Sequence, residues 1–169
     1  MPTSVALRGA TPADADTVAK IWHRGWQDGH LGNVPDELVR IRTRESFWER
    51  AAQRVGDTTV ALVDGEVAGF VMVVGDEVEQ VYVSSDHRGS GVAGTLLAEA
   101  ERLVSANGQA HAWLAVAPGN ARARRFYERC GWVDEGAFEN RVPGPDGPIS
   151  VPCRRYVKPV ARPLPQLGD

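Results

Sequence analysis

The chain has two cysteines, Cys130 and Cys153, in 169 residues, too few and too unpatterned for a disulfide framework or a zinc site. Its four histidines show no ligand spacing with them, so no metal site is expected. No apolar run approaches the roughly 20 residues that span a bilayer. The opening MPTSVALRGATPADAD lacks the basic start and apolar stretch of a signal peptide. A cytoplasmic protein without membrane contacts is expected. There is no excess of basic charge either: 19 Lys and Arg against 22 Asp and Glu give a formal charge of −3. That argues against nucleic acid as a partner and mildly favours cationic ligands.

What is present is ordinary for a globular domain, with 43% hydrophobic and 24% charged residues. A chain of this size can bury roughly two thirds of its unfolded surface around one core. Neither repeats nor a linker divide it, so one domain over 1–158 is expected, followed by a Pro-rich tail at 159–169 with too little apolar surface to pack. Thr11, Pro12 and Asp14 read as N-cap, first helical residue and capping box. Val18, Ile21, Trp22, Gly25 and Trp26 then share one helical face until Gly29 to Pro35 breaks the pattern. A second helix is predicted from Thr43 to Arg54 with Phe47 and Ala51 inward. Asp64-Gly65 between two β-rich runs is a hairpin turn, and Gly75-Asp76 marks a second before EVEQVYV. Helices are predicted after Gly91, ending at Asn107-Gly108, and from Asn120 to Gly131. AHAWLAV forms a strand between them, and AFENRV and SVPCRRYV flank the turn-rich PGPDGP.

The segment VYVSSDHRGSGVAGTLL contains G-x-G-x-x-G at Gly89, Gly91 and Gly94, yet it is not a dinucleotide-binding turn. Five residues separate Val83 from Gly89, and the strand that follows carries no carboxylate for a ribose. Nor is it a P-loop, because Thr95 and Leu96 stand where Lys and Ser or Thr are needed. What remains is a strand, a glycine-rich bend and a helix N-terminus whose free amides and dipole favour an anion.

Arg88-x-x-Gly91-x-Ala93 resembles the Q/R-x-x-G-x-G/A signature of the GCN5-related N-acetyltransferases. NARARRFYERCGW resembles that family's second block, N-x-x-A-x-x-F-Y-x-x-x-G-F. The resemblance is specific over 77–132 and extends in element order over about 5–158. It implies a mixed α/β fold, a central, mostly antiparallel twisted sheet of about seven strands, opened in a V between EVEQVYV and AHAWLAV and flanked by about four helices. It implies acetyl-CoA as co-substrate, with its pyrophosphate on the backbone of Arg88, Gly89, Ser90, Gly91, Val92, Ala93 and Gly94. The pantetheine arm would pair with the strand at Val81, Tyr82 and Val83, and the Val83 N–H would meet the carbonyl oxygen. Asn120 matches a residue near the thiol end; it reads equally as a plain N-cap.

Acetyl transfer needs a neutral amine, a polarised carbonyl and a proton for the departing thiolate. The resemblance assigns the proton to Tyr127. A base is expected on the strand before the glycine loop, where Glu79 is preferred over Glu77. Strand alternation puts both on the face of Val81 and Val83 unless a bulge intervenes. WHRGWQDGHLGNVP is similar to a W-x-x-A-Y-x-G-x-x-P segment of some bacterial members that lines the acceptor pocket, with Gly29 and His30 in place of Ala-Tyr. Trp22 and Trp26 could wall a cationic amine or lie in the core. His30 could touch substrate or be a surface loop residue. PGPDGP would border the acceptor or form a homodimer contact. The function expected is transfer of acetyl to a primary amine, of a small molecule rather than a protein N-terminus or lysine, directly in a ternary complex. A non-catalytic acyl-CoA sensor is the alternative.

Overall fold

A computed structural model describes residues 4–160. Its first strand, β1 (Ala6–Gly9), leads through a 3₁₀ turn at Pro12–Asp14 into helix α1 (Ala15–His30). The turn is fixed by the predicted capping box and by Arg8, whose guanidinium donates to both oxygens of Asp14 at 2.7 and 3.0 Å. α1 runs through Gly25 and Gly29, one residue beyond the expected break. A short helix that the sequence reading did not assign, α2 (Asp36–Ile41), follows Pro35. The predicted α3 (Arg44–Gln53) starts at the Thr43 cap, with Phe47 and Ala51 buried.

Strands β2 (Thr58–Val63), β3 (Glu66–Val74) and β4 (Glu77–Val83) form the expected antiparallel meander. Asp64 and Gly65 both have positive φ, 52° and 80°, as the tight hairpin turn requires. Helix α4 (Val92–Ala106), β5 (His111–Val116), α5 (Ala121–Arg129), β6 (Val133–Val142) and β7 (Ile149–Pro159) complete the chain. The sheet has seven strands in the order β1-β2-β3-β4-β5-β7-β6. Only β4 and β5 run parallel, and they pair only at Glu77 and Trp113, beyond which they part. This is the V expected between EVEQVYV and AHAWLAV. Alternation along β3 sends Val71 and Val73 to a core under α4, and Phe70 and Met72 to a second core under α1 and α3. The Val160 N–H donates to the Ala110 carbonyl at 2.9 Å, so the folded part continues past the expected boundary at 158. Residues 161–169 of the expected tail lie outside the described residues.

Candidate active site

The parting of β4 and β5 leaves one edge of β4 unpaired from Val78 onward, and the ladder to β3 decides which groups face the gap. The Ser84 N–H donates to the Ala68 carbonyl at 2.8 Å. In an antiparallel ladder these bonds recur at alternate residues, so Tyr82 and Gln80 turn their backbone groups toward β3. The N–H and C=O of Val83 and Val81 therefore face the gap, as an added extended chain would need.

At the end of β4 the chain bends through Ser84 to Ser90 into α4. Gly89 and Gly91 have φ of 80° and 84°, a region that disfavours any side chain, and Gly91 is the N-cap with no side-chain cap on the helix. The amides of the first turn of α4 are therefore free to meet an anion. Val92 contributes only its backbone there, since its side chain is buried in the core. Ser90 Oγ donates to the His87 carbonyl and holds the bend. Arg88 pairs with Asp28 of α1 at 2.7 Å, tying the loop to that helix.

A cleft of about 1080 Å³ follows this gap, and it brings together Val81, Val83, Arg88, Asn120 and Tyr127 with both glutamates of β4. Asn120 is a true N-cap: its side chain accepts from the Ala123 N–H at 3.3 Å. The ring of Tyr127 packs among Phe126, Trp132 and Tyr156. Burial pushes its hydroxyl up to about 12, with a smaller contribution from Cys130, so it carries its proton at neutrality.

β4 carries a bulge: Met72 pairs with Gln80 but Val73 with Val78, leaving Glu79 as the extra residue. The exception to strand alternation thus applies. Val78 lies in the core under α4 with Val81 and Val83 packed against it. Glu77 and Glu79 consequently occupy the opposite face, where Arg54 Nη2 lies 2.7 Å from Glu79 Oε2. Glu77 is raised to about 7, first by burial and then by the charges of Glu79 and Asp76.

The model of the acetyltransferase (GNAT) family matches residues 18–132 of this sequence. The chain belongs to that family. It is an N-acetyltransferase by that membership. An uncharacterized N-acetyltransferase of Mycobacterium bovis is 31% identical over 118 residues, covering 64% of this chain and 76% of the relative. The fold is that of the GCN5-related N-acetyltransferase from Rhodopseudomonas palustris, described as an aminotransferase, class II, at TM-score 0.71 and 24% identity over 94% of this chain and 98% of that one. The PaiA N-acetyltransferase from Thermoplasma acidophilum, solved in complex with coenzyme A, superposes at TM-score 0.67 and 18% identity over 92% and 99% of the two chains.

In this GNAT chain Trp22, Trp26 and His30 all line the far half of the cleft, and core packing is the one of the two readings open for the tryptophans that their burial matches. Trp22 and Trp26 are core residues, packed with Phe47. The cation over Trp22 is the protein's own: the Arg50 guanidinium lies 4.3 Å from the ring centroid. His30 is the last residue of α1 rather than a loop residue, stacked on Trp26 with Nδ1 3.1 Å from the Trp26 carbonyl. Burial pulls its ring down to about 4, so it is neutral at pH 7. The negative chain also has a positive cleft, lined by eight arginines and three carboxylates, against the expected leaning toward cationic ligands. Arg42, Arg50 and Arg54 were not singled out from the sequence; the only signal was the i, i+4 spacing of Arg50 and Arg54 beside an aromatic helix face.

Among the described residues no group of three or more His, Cys, Asp or Glu is placed to hold a metal ion. No described helix is long and apolar enough to cross a membrane.

Proposed function

We propose that this chain transfers an acetyl group from acetyl-CoA directly to the primary amine of a small molecule within a ternary complex. The observation that carries the reading is the outward-facing backbone of Val81 and Val83, in line with the uncapped N-terminus of α4. The fit is physical: an extended amide-bearing arm needs a free strand edge, and a pyrophosphate needs free amides where no side chain intrudes. The backbone of residues 88–94 would hold the pyrophosphate, and Val83 and then Val81 the arm. Acetyl-CoA supplies the acetyl thioester. Val81 lies about 7 Å farther from the phosphate loop than Val83, so its N–H is better placed than the Val83 N–H for the thioester carbonyl. Asn120 adds a polar group at the same end while capping α5.

The new bond joins the amine nitrogen to the acetyl carbon as the carbon–sulfur bond breaks. One proton must leave the amine and one must reach the sulfur. Tyr127 holds the second, since its buried hydroxyl is protonated and opens on the cleft. For the first, the ion pair between Arg54 and Glu79 favours Glu77 over the preferred Glu79. Glu79 is engaged by Arg54, whereas the Glu77 carboxyl titrates near neutrality, where a general base works best.

An acyl-enzyme has little support in either thiol. Burial raises Cys130, and it pushes Cys153 up to about 11, so neither is an activated thiolate. The experiment is thiol release from acetyl-CoA with and without a panel of primary amines, with mass spectrometry of product and protein. Amine-dependent release with an acetylated amine supports the reading. Binding of acetyl-CoA without turnover of any amine would favour the sensor alternative, and a kinetically competent acetyl-cysteine would overturn direct transfer.

A further inference from the structure

The far half of the cleft holds more positive charge than its own carboxylates match. Arg42, at the end of α2, and Arg50 and Arg54, at the end of α3, line it together with Glu77 and Glu79. Arg54 is matched by Asp57 and Glu79. None of the ion pairs among the described residues involves Arg42 or Arg50. Arg50 stacks on Trp22 and Phe47, its Nε donates to the Ser46 carbonyl at 3.2 Å, and its Nη2 is buried without a hydrogen-bond partner.

A buried guanidinium nitrogen with no acceptor is costly unless a ligand completes it. Burial and mutual repulsion pull Arg50 down to about 10, which still leaves it charged at neutral pH. The phosphates of acetyl-CoA do not account for these arginines. Arg54 reaches the bulge at the start of β4, whereas the glycine loop lies beyond its other end. What the geometry presents is two guanidinium groups without a carboxylate partner, Arg42 and Arg50, lining the same cleft as Glu77 and Glu79.

We infer that the acceptor is a small zwitterion, an amine that also bears a carboxylate or an equivalent oxyanion, with Arg42 and Arg50 binding the anionic group while the amine faces Glu77. The inference rests on the acetyltransferase reading and adds the substrate class. Planar guanidinium groups bind carboxylates and phosphonates with paired hydrogen bonds. Anchoring that group at the arginines leaves the ammonium on the glutamate side, where its proton must be lost. Trp22 and Phe47 then serve the acceptor indirectly, as the floor on which Arg50 is held, with Trp26 packed behind Phe47.

The test compares matched acceptors in a thiol-release assay: amino acids, their amides, their decarboxylated amines, aminoalkylphosphonates and short peptides with a free N-terminus. Acetyl-CoA affinity is measured for every variant. The expected result is a kcat/KM about tenfold or more higher for carboxylate- or phosphonate-bearing amines than for their uncharged analogues. That ratio should collapse in Arg50→Gln and Arg42→Gln and be partly retained in Arg50→Lys, with acetyl-CoA affinity unmoved. The separate arms show which oxyanion is preferred. Should Arg50→Gln fail to fold, Arg42→Gln carries the comparison. Equal or better use of amides, decarboxylated amines or peptides overturns the inference, as does an acid-to-amide ratio unchanged in the arginine variants. Failure of the whole panel with acetyl-CoA bound also overturns it. Failure to bind acetyl-CoA at all would instead remove the reading beneath it.

Discussion

Arg54 Nη2 sits 2.7 Å from Glu79 Oε2, across the bulge that places Glu79 and Glu77 on the same face of β4. The pair leaves Glu77 as the half-buried carboxylate whose proton affinity is tuned by its neighbours: Glu79 raises it and Arg54 lowers it. With Glu77 as base, kcat/KM of the wild type rises with pH and levels off above about 7, because the carboxylate is the working form. Glu77→Gln lowers kcat/KM by about 100-fold or more and removes that limb. Glu79→Gln takes away a raising charge and frees Arg54, so the limb moves to lower pH; Arg54→Gln moves it higher. Steady-state pH profiles of the three variants check this, and an unmoved limb would assign the titration elsewhere.

The same carboxyl makes a prediction about stability that does not depend on turnover. Its folded value, about 7, lies above its unfolded value of 4.5, so the folded state favours the neutral form. The wild type loses stability as pH rises between these two values. Glu77→Gln has no charge to bury and should match the wild type near pH 4 while exceeding it in Tm at pH 8. Thermal unfolding across that range reads the difference directly.

Removing the Tyr127 hydroxyl while keeping the ring among Phe126, Trp132 and Tyr156 tests the acid alone. Tyr127→Phe should lower kcat by roughly 100- to 10,000-fold, with acetyl-CoA affinity nearly unchanged. Equal rates would remove Tyr127 as the essential acid.

Gly91 separates backbone strain from ligand exclusion. An added Cβ would meet nothing within 4 Å, but φ is 84°, so Gly91→Ala should cost about 1–2 kcal/mol of stability. Gly91→Glu adds bulk and negative charge where the pyrophosphate would lie, and should abolish acetyl-CoA binding while the Tm falls no more than in the alanine variant. Unaltered binding by Gly91→Glu would remove the cradle assignment.

Gly25 reports on how α1 lies over β4. A Cβ there would come within 2.3 Å of the Tyr82 ring, which packs on Phe70 below. Neither partner can yield freely, so Gly25→Ala should destabilise the fold by about 1–3 kcal/mol. A denaturant titration with unchanged slope would show this as a lower midpoint.

The residues that announced themselves in the sequence are those whose structure is decided locally. Asp64-Gly65 makes a hairpin because both residues tolerate positive φ, and Asn120 and Gly131 bracket a helix by their own conformations. The strand, loop and helix around Gly91 were legible for the same reason. Three other features depend on partners distant in sequence. The bulge at Glu79 is a matter of register against β3, and neither glycine nor proline marks it. The pairing of Glu79 with Arg54 joins residues 25 apart. The positive cleft arises because the fold gathers arginines from several elements, which a net charge of −3 hides. His30 looked like a surface residue because the sequence gives no sign that its ring stacks on Trp26. Helix α2 did carry a signal, Pro35 followed by Asp36 and Glu37, but its six residues offer too short an apolar pattern to stand out.

The central claim is that the gap between β4 and β5, with the α4 N-terminus, forms a seat for acetyl-CoA. Calorimetric titration of the purified protein with acetyl-CoA, with NAD and ATP injected under the same conditions, tests it most directly. The predicted result is saturable one-to-one binding of acetyl-CoA with no comparable heat from NAD or ATP. No binding of acetyl-CoA, or equal binding of all three, would contradict it.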